Sequence, residues 1–329
     1  MKNDSQTHKS PTIKPPQKED EKTKSFHYET SFYKGYLDYP VFVRIWKKVE
    51  EAKGIVLVAH NIREHSGFYE EFALTLNKVG YIVVVPDLRA HGKTAGEVDN
   101  CGKYDGKNFF QDSVLDLIKF ADWMFKRFDL PLAIMGVGIG SFLVQKFAEN
   151  YHRHRAMILI GAGYYPIPYL NHINFLANMT AMFKGKNAPA HKVYKATIGK
   201  FEKNFPDKNW LTHDESMIEI YEQDPYYGHI PSAAICASIA QGIASVFTGN
   251  NLDKLDRFTP ILFENGQNDT IATASPTNLD KLLEQYKFLQ FKNVETKIWD
   301  HDRHDILHET DRKQVFSHIS AFLKKNVIP

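Results

Sequence analysis

The run Gly136-Val137-Gly138-Ile139-Gly140 sets a glycine at every second position, directly after one apolar stretch and before another. Two chemistries use a strand-to-helix turn of small residues. In a nucleophile elbow, Gly-x-Ser-x-Gly, the flanking glycines relieve crowding while the central hydroxyl is lifted into the site. In a dinucleotide-binding turn, Gly-x-Gly-x-x-Gly lays a pyrophosphate on a helix N-terminus. Here Ser141 stands where the latter needs its third glycine, and the turn follows several strands, so no nucleotide or other cofactor is expected. The elbow fits, with Gly138 at the apex as a vacant nucleophile position. Ser141 is the nearest hydroxyl, but three residues into the helix it is expected to point away from the apex.

Such a turn needs a sheet beneath it, and the chain supplies the pattern. Tyr39 to Trp46 alternates like a half-buried strand, whereas Gly54 to His60, Tyr81 to Pro86, Pro131 to Met135, Ala156 to Ile160 and Pro260 to Phe263 are continuous apolar runs of the kind that forms buried parallel strands. Helical periods fall between them at Glu70 to Val79, closed by Gly80, at Asn108 to Phe128 and at Ile139 to Tyr151. Val294 to Trp299 and Asp311 to Lys325 add a last strand and a closing helix. This rhythm predicts an α/β chain with a mostly parallel central sheet flanked by helices.

Between Tyr164 and Asp256 the strands stop and helical stretches follow one another. Residues 164–256 are therefore expected to be a helical cap, or lid, inserted after the sixth strand. Residues 26–163 and 257–329 would form the core, and 1–25, rich in Lys, Asp, Glu, Gln, Pro and Thr, a disordered tail. In the cap, Tyr169, Ile173, Leu176, Met179 and Phe183 fall on one side of a helix, broadened by Phe175 and Met182. That face reads either as core packing or as the greasy wall of an acyl-chain site.

Composition removes other classes. The 41 basic and 39 acidic residues leave a formal charge of only +2, and no basic run is interleaved with aromatics, so nucleic acid is not an expected partner. The two cysteines, Cys101 and Cys236, lie far apart and suggest neither a disulfide framework nor a zinc site. His301, His304 and His308 have a ligand-like spacing, but the first two fall in a loop and no cysteine joins them, so no metal is expected. With no signal-like stretch and no run of eighteen apolar residues, a cytoplasmic setting is expected. The apolar cap leaves room for peripheral contact with a membrane, and the oligomeric state is not legible.

Four further segments carry a resemblance. His60-Asn61-Ile62-Arg63-Glu64-His65-Ser66-Gly67-Phe68-Tyr69 is similar to His-Gly-x-x-Glu-His-Ser-Gly-Arg-Tyr, and Asp87-Leu88-Arg89-Ala90-His91-Gly92-Lys93-Thr94 to Asp-x-Arg-Gly-His-Gly-x-Ser. Asn209-Trp210-Leu211-Thr212 and Tyr221 to Tyr226 resemble a cap signature. Together, over roughly Phe26 to Leu323, the chain resembles the monoacylglycerol lipase and lysophospholipase group of α/β-hydrolases. The resemblance implies a catalytic acid at Asp269, a catalytic base at His304, and an oxyanion hole from the backbone N–H groups of Ile62 and Ile139. Asp269 could alternatively cap a following helix, and His304 could be purely structural. Asn61 and Arg63 replace small residues, so the oxyanion loop is expected to be bulkier.

The ligand implied is a small-molecule acyl ester or lipid. With Gly138 in place of serine, ordinary serine hydrolysis is expected to be nearly absent. Three readings remain open: an ester hydrolase lineage that lost its nucleophile, a non-catalytic protein that binds a lipid or acyl ligand, and a serine-independent reaction through His304.

Overall fold

A computed structural model describes residues 27–205, 209–249, 251–273 and 278–327. The tail expected at 1–25 lies outside them. In chain order the elements are β1 (Glu29–Lys34), β2 (Pro40–Trp46), β3 (Gly54–Ala59), α1 (Glu70–Lys78), β4 (Tyr81–Pro86), α2 (Phe109–Phe128), β5 (Leu132–Val137), α3 (Ile139–Ala148), β6 (His154–Ile160), α4 (Ile167–Lys184), α5 (His191–Ala196), α6 (Ile198–Glu202), α7 (Glu215–Gln223), α8 (Ala233–Phe247), β7 (Ile261–Gly266), α9 (Thr270–Thr273), α10 (Asn278–Phe288), β8 (Val294–Trp299) and α11 (Arg312–Asn326).

The eight strands form one sheet in the order β1-β2-β4-β3-β5-β6-β7-β8. β1 and β2 are antiparallel, and the pairs from β4 through β8 are parallel. The apolar runs explain this: β3, β4 and β5 are buried along their whole length, so both faces need a helical layer. Ile55, Leu57 and Ala59 pack toward α2, α3 and α10. Val56 and Val58 pack toward α1 and α11. β1 was not anticipated. Its sequence, ETSFYK, is largely exposed, and an antiparallel edge strand needs no continuous apolar run.

Five helices, α4 to α8, separate β6 from β7 among the described residues. The expected greasy face of α4 divides. Ile173 is buried and Tyr169 half-buried, whereas Phe175, Met182 and Phe183 are 58%, 67% and 73% exposed.

At the β5–α3 turn the flanking glycines have a clear cause. A Cβ on Gly140 would overlap the Ala59 carbonyl at the end of β3, and one on Gly136 would overlap the Gly140 carbonyl. The helix can start this close to the sheet only without side chains there. Gly140→Ala is therefore expected to cost about 1–3 kcal/mol through overpacking, read as a lower urea midpoint. Gly199→Ala, whose nearest neighbour would be 3.4 Å away, should leave the midpoint unchanged or raise it. Equal shifts in the two variants would count against this account.

Candidate functional site

The carboxyl ends of β3, β5, β7 and β8 converge on one point, as ligand sites do in open parallel sheets. After β5 the chain turns at Gly138 with φ 52° and ψ −116°, a left-handed conformation in which a side chain is strained. Ser141 does turn away: its hydroxyl donates to the Gly138 carbonyl at 2.7 Å. After β7, Asp269 is fully buried; one carboxylate oxygen accepts from the Ile271 N–H at 2.8 Å and the other meets Nδ1 of His304 at 2.9 Å. Asp269 thus caps α9 and at the same time orients a histidine.

His304 comes from the loop after β8 and is fully buried, stacked on Trp210 with ring centroids 4.8 Å apart. Burial opposes a charge on this ring, but the Asp269 carboxylate at Nδ1 outweighs it and holds the imidazole above the ordinary histidine range. The contact with Asp269 places a proton on Nδ1, and the neutral form of the ring presents the lone pair of Nε2 to the β5–α3 turn, where a hydrogen-bond donor favours that form over the charged one.

That lone pair is already engaged. The Asn61 Oδ1 accepts from the backbone N–H of Ile62 at 2.8 Å and from that of Ile139 at 3.0 Å. Two N–H donors can point only at the amide oxygen, which fixes the amide's orientation. Its nitrogen then lies 3.2 Å from Nε2 of His304 and donates to it. The two N–H groups expected to form the oxyanion hole therefore do converge, but on a side chain of the protein itself. A Cβ on Gly138 would overlap the Cγ, Oδ1 and Nδ2 atoms of that amide. The space above Gly138 is therefore filled.

The Asn61 loop is held from below and from the side. His60 accepts from the Leu88 N–H at 2.8 Å and so donates through Nδ1 to the Asn61 carbonyl at 2.6 Å; burial pushes its pKa well below the usual value and keeps it neutral. Glu64 accepts from the Asn61 N–H at 2.9 Å. Arg63, rather than Asn61, takes the left-handed backbone, with φ 73°, and its guanidinium donates to the Gly228 carbonyl at 2.8 Å and 3.0 Å. His65 meets Asp224 at 3.1 Å, and Tyr221 donates to Asp305. Leu211 accepts from the Asp305 N–H at 2.8 Å. The four resemblance-bearing segments are thus linked, directly or through one another, to the loop that carries His304.

Above this polar point lies a cavity of about 140 Å³. Asn61, Gly138 and Trp210 form one end, and Leu170, Ile173 and Ile239 are among its apolar walls; among the described residues no charged side chain lines it. Of the five α4 and cap residues expected to bind an acyl chain, Tyr169 and Ile173 line it, and Leu176, Met179 and Phe183 do not. His304 and His308 turn to separate carboxylates, Asp269 and Asp305. The sequence reading missed Asn61 as a partner of His304. The available signal was a polar residue in place of a small one, paired with a glycine where a hydroxyl was expected.

Burial, with Asp305 nearby, pushes the Glu64 carboxyl up to about 8, against an ordinary value of 4.5. The folded protein then keeps a proton that the unfolded chain releases. This contribution is complete below about pH 4.5 and is lost as pH rises through about 8. Glu64→Gln keeps the acceptor for the Asn61 N–H without titrating, so the fall in Tm between pH 5 and pH 8.5 should shrink by a few degrees relative to the parent. An unchanged Tm profile would oppose a buried, protonated Glu64.

Comparison with known proteins agrees with this geometry. The family described as "Serine aminopeptidase, S33" matches residues 50–311. A "Monoglyceride lipase homolog" of Monkeypox virus is 26% identical over 302 residues, 87% of this chain and 95% of that protein. The human "Monoglyceride lipase" is 27% identical over 187 residues, 56% of each chain. Among solved structures, a thermostable carboxyl esterase from Bacillus coagulans has a TM-score of 0.81 at 20% identity, covering 92% of this chain and 100% of that one. A soluble variant of the Saccharomyces cerevisiae monoglyceride lipase, in complex with a substrate analog, has a TM-score of 0.70 at 19% identity, covering 92% and 96%.

Proposed function

Because the chain belongs to the serine aminopeptidase S33 family and is a monoglyceride-lipase-like α/β-hydrolase, we propose that it binds an uncharged acyl lipid, such as a monoacylglycerol, without hydrolysing it. In this reading Gly138 is the vacant nucleophile position, Asp269 and His304 are the remaining acid and base, and Ile62 and Ile139 are the oxyanion donors. Helices α4 to α8 serve as the cap over the acyl pocket.

The observation that carries the reading is the Asn61 amide, hydrogen-bonded at once to Ile62, Ile139 and His304. A hydrolase must present those donors to the developing oxyanion and that imidazole to a nucleophile. Here neither is available to a ligand. Loss of the serine alone removes on the order of a millionfold in turnover, some 8–9 kcal/mol of barrier. The alternative of water activated directly by His304 requires the Nε2 lone pair, which the Asn61 amide occupies, so the geometry favours binding over a serine-independent reaction.

The pocket supports a lipid rather than a polar ligand, because its lining is mostly apolar and, among the described residues, carries no charged group to offset the desolvation of an ion. The exposed Phe175, Met182 and Phe183 on α4 suit peripheral contact with a membrane from a cytoplasmic setting. No helix among the described residues is long and apolar enough to cross one.

Titration with a fluorescent monoacylglycerol analogue tests the proposal. Saturable binding is expected. Ile239→Trp, which fills the cavity from the α8 side, should weaken it at least tenfold while the Tm stays close to the parent's. Hydrolysis of p-nitrophenyl butyrate should stay at the rate of the buffer blank. Binding indifferent to the tryptophan, or ester turnover by the parent protein, would overturn the reading.

A further inference from the structure

We infer that Asn61 and Gly138 form a matched pair in which the Asn61 amide is a built-in surrogate for a bound acyl carbonyl, closing the oxyanion site to ligands and making the loss of hydrolysis a two-residue property. This concerns the same pocket as the proposed lipid binding, but it rests on the geometry of the amide and not on any ligand.

The match is atom by atom. An oxyanion hole holds its ligand oxygen 2.7–3.1 Å from its donors, and the Asn61 Oδ1 lies 2.8 Å and 3.0 Å from the Ile62 and Ile139 nitrogens. The amide carbon takes the place of an ester carbonyl carbon beside the elbow. The amide nitrogen, 3.2 Å from Nε2 of His304, stands where a leaving-group heteroatom would take up a proton. The amide is pressed so closely on the turn that a Cβ at position 138 would overlap it. Asn61 in this position therefore requires glycine at 138. In turn, Gly138 would leave two buried N–H donors and an imidazole without a partner if Asn61 were absent.

Two consequences separate this from a simple missing nucleophile. First, replacing Gly138 by serine is not enough: the new side chain meets the Asn61 amide, and the hole stays filled. Second, the closed hole decides which head group the pocket tolerates. A fatty-acid carboxylate reaching the elbow finds the Ile62 and Ile139 N–H groups already taken by the Asn61 amide oxygen, and Asn61→Gly exposes those two donors and His304 to receive it.

The test uses four full-length proteins: the parent, Asn61→Gly, Gly138→Ser and the double variant. Hydrolysis of p-nitrophenyl butyrate is the first readout. In the double variant the hydroxyl oxygen adds to the ester carbonyl carbon as its proton passes to Nε2 of His304. The bond to the p-nitrophenol oxygen then breaks as the imidazolium returns that proton to the leaving group; water next adds to the acyl carbon as its own proton passes to the neutral imidazole, and the acyl bond breaks as the imidazolium gives that proton back to the hydroxyl oxygen, releasing butyric acid, which ionises to butyrate. Both single variants should stay within about tenfold of the parent, and the double variant should exceed either by at least a hundredfold. Gly138→Ser matching the double variant, or a folded double variant no faster than the parent, would overturn the inference.

The second readout needs no catalysis. Laurate binding, followed by displacement of a fluorescent monoacylglycerol analogue, should strengthen at least tenfold in Asn61→Gly relative to the parent, with monolaurin affinity little changed. Unimproved laurate binding in a folded Asn61→Gly protein would also sink the idea. If neither lipid displaces the probe from the parent protein while the double variant gains turnover, the lipid-binding reading fails and the paired plug stands.

Discussion

Three hydrogen bonds from one amide organise the polar end of this molecule. Asn61 gathers the Ile62 and Ile139 N–H groups and the Nε2 of His304, groups that come from the ends of three strands. Each is buried or half-buried, and a buried polar group without a partner costs about 1–3 kcal/mol. On the proposed reading one side chain therefore satisfies in the folded protein what a substrate would otherwise satisfy only on binding. The site is preorganised, but its occupant is internal.

Such an amide is useful only if it cannot swing away, and the surrounding structure restricts it. The Asn61 backbone is held on both sides of its peptide, by Glu64 at the N–H and by the neutral His60 at the carbonyl. Two residues on, Arg63 is clamped to Gly228 through its guanidinium and through the Gly228 N–H, which donates to the Arg63 carbonyl at 2.9 Å. The loop after β3 and the helices between β6 and β7 are thereby one hydrogen-bonded unit around the cavity. His304 is fixed just as firmly, since Asp269 sets its proton and Trp210 its plane.

The sheet was legible in the sequence because burial on both faces writes itself as uninterrupted Val, Ile and Leu, as in β3 and β4. β1 was not, because a strand paired on one side and exposed on its faces leaves no such run. Asp269 and His304 were legible only through resemblance: nothing in the spacing of 35 residues says that they meet at 2.9 Å. The α4 face was half legible. Helical periodicity located its apolar residues, but it cannot say which of them meet α8 and which meet solvent, because α4 is apolar around most of its circumference. Asn61 was noticed as bulk and not as a bond, since its three partners lie in three separate segments and only the fold brings them together.

Asn61 and Gly138 reinforce each other energetically, and that bears on why the site looks as it does. At φ 52° and ψ −116° any residue with a Cβ carries strain of about 1–3 kcal/mol, a cost that a nucleophile justifies only while its hydroxyl is used. Glycine relieves that strain, but alone it would open a polar void beside two unpaired donors. Asparagine fills the void with one acceptor and one donor in the arrangement the void demands. On the proposed reading each residue stabilises the background created by the other, and both would move the protein away from hydrolysis, as expected where a strained functional site is exchanged for stability. Reversal by a single substitution would have to pass through either an overlapping side chain or an unsatisfied hole. On the proposed reading the pair therefore locks the scaffold into its binding role more firmly than the absence of one hydroxyl could.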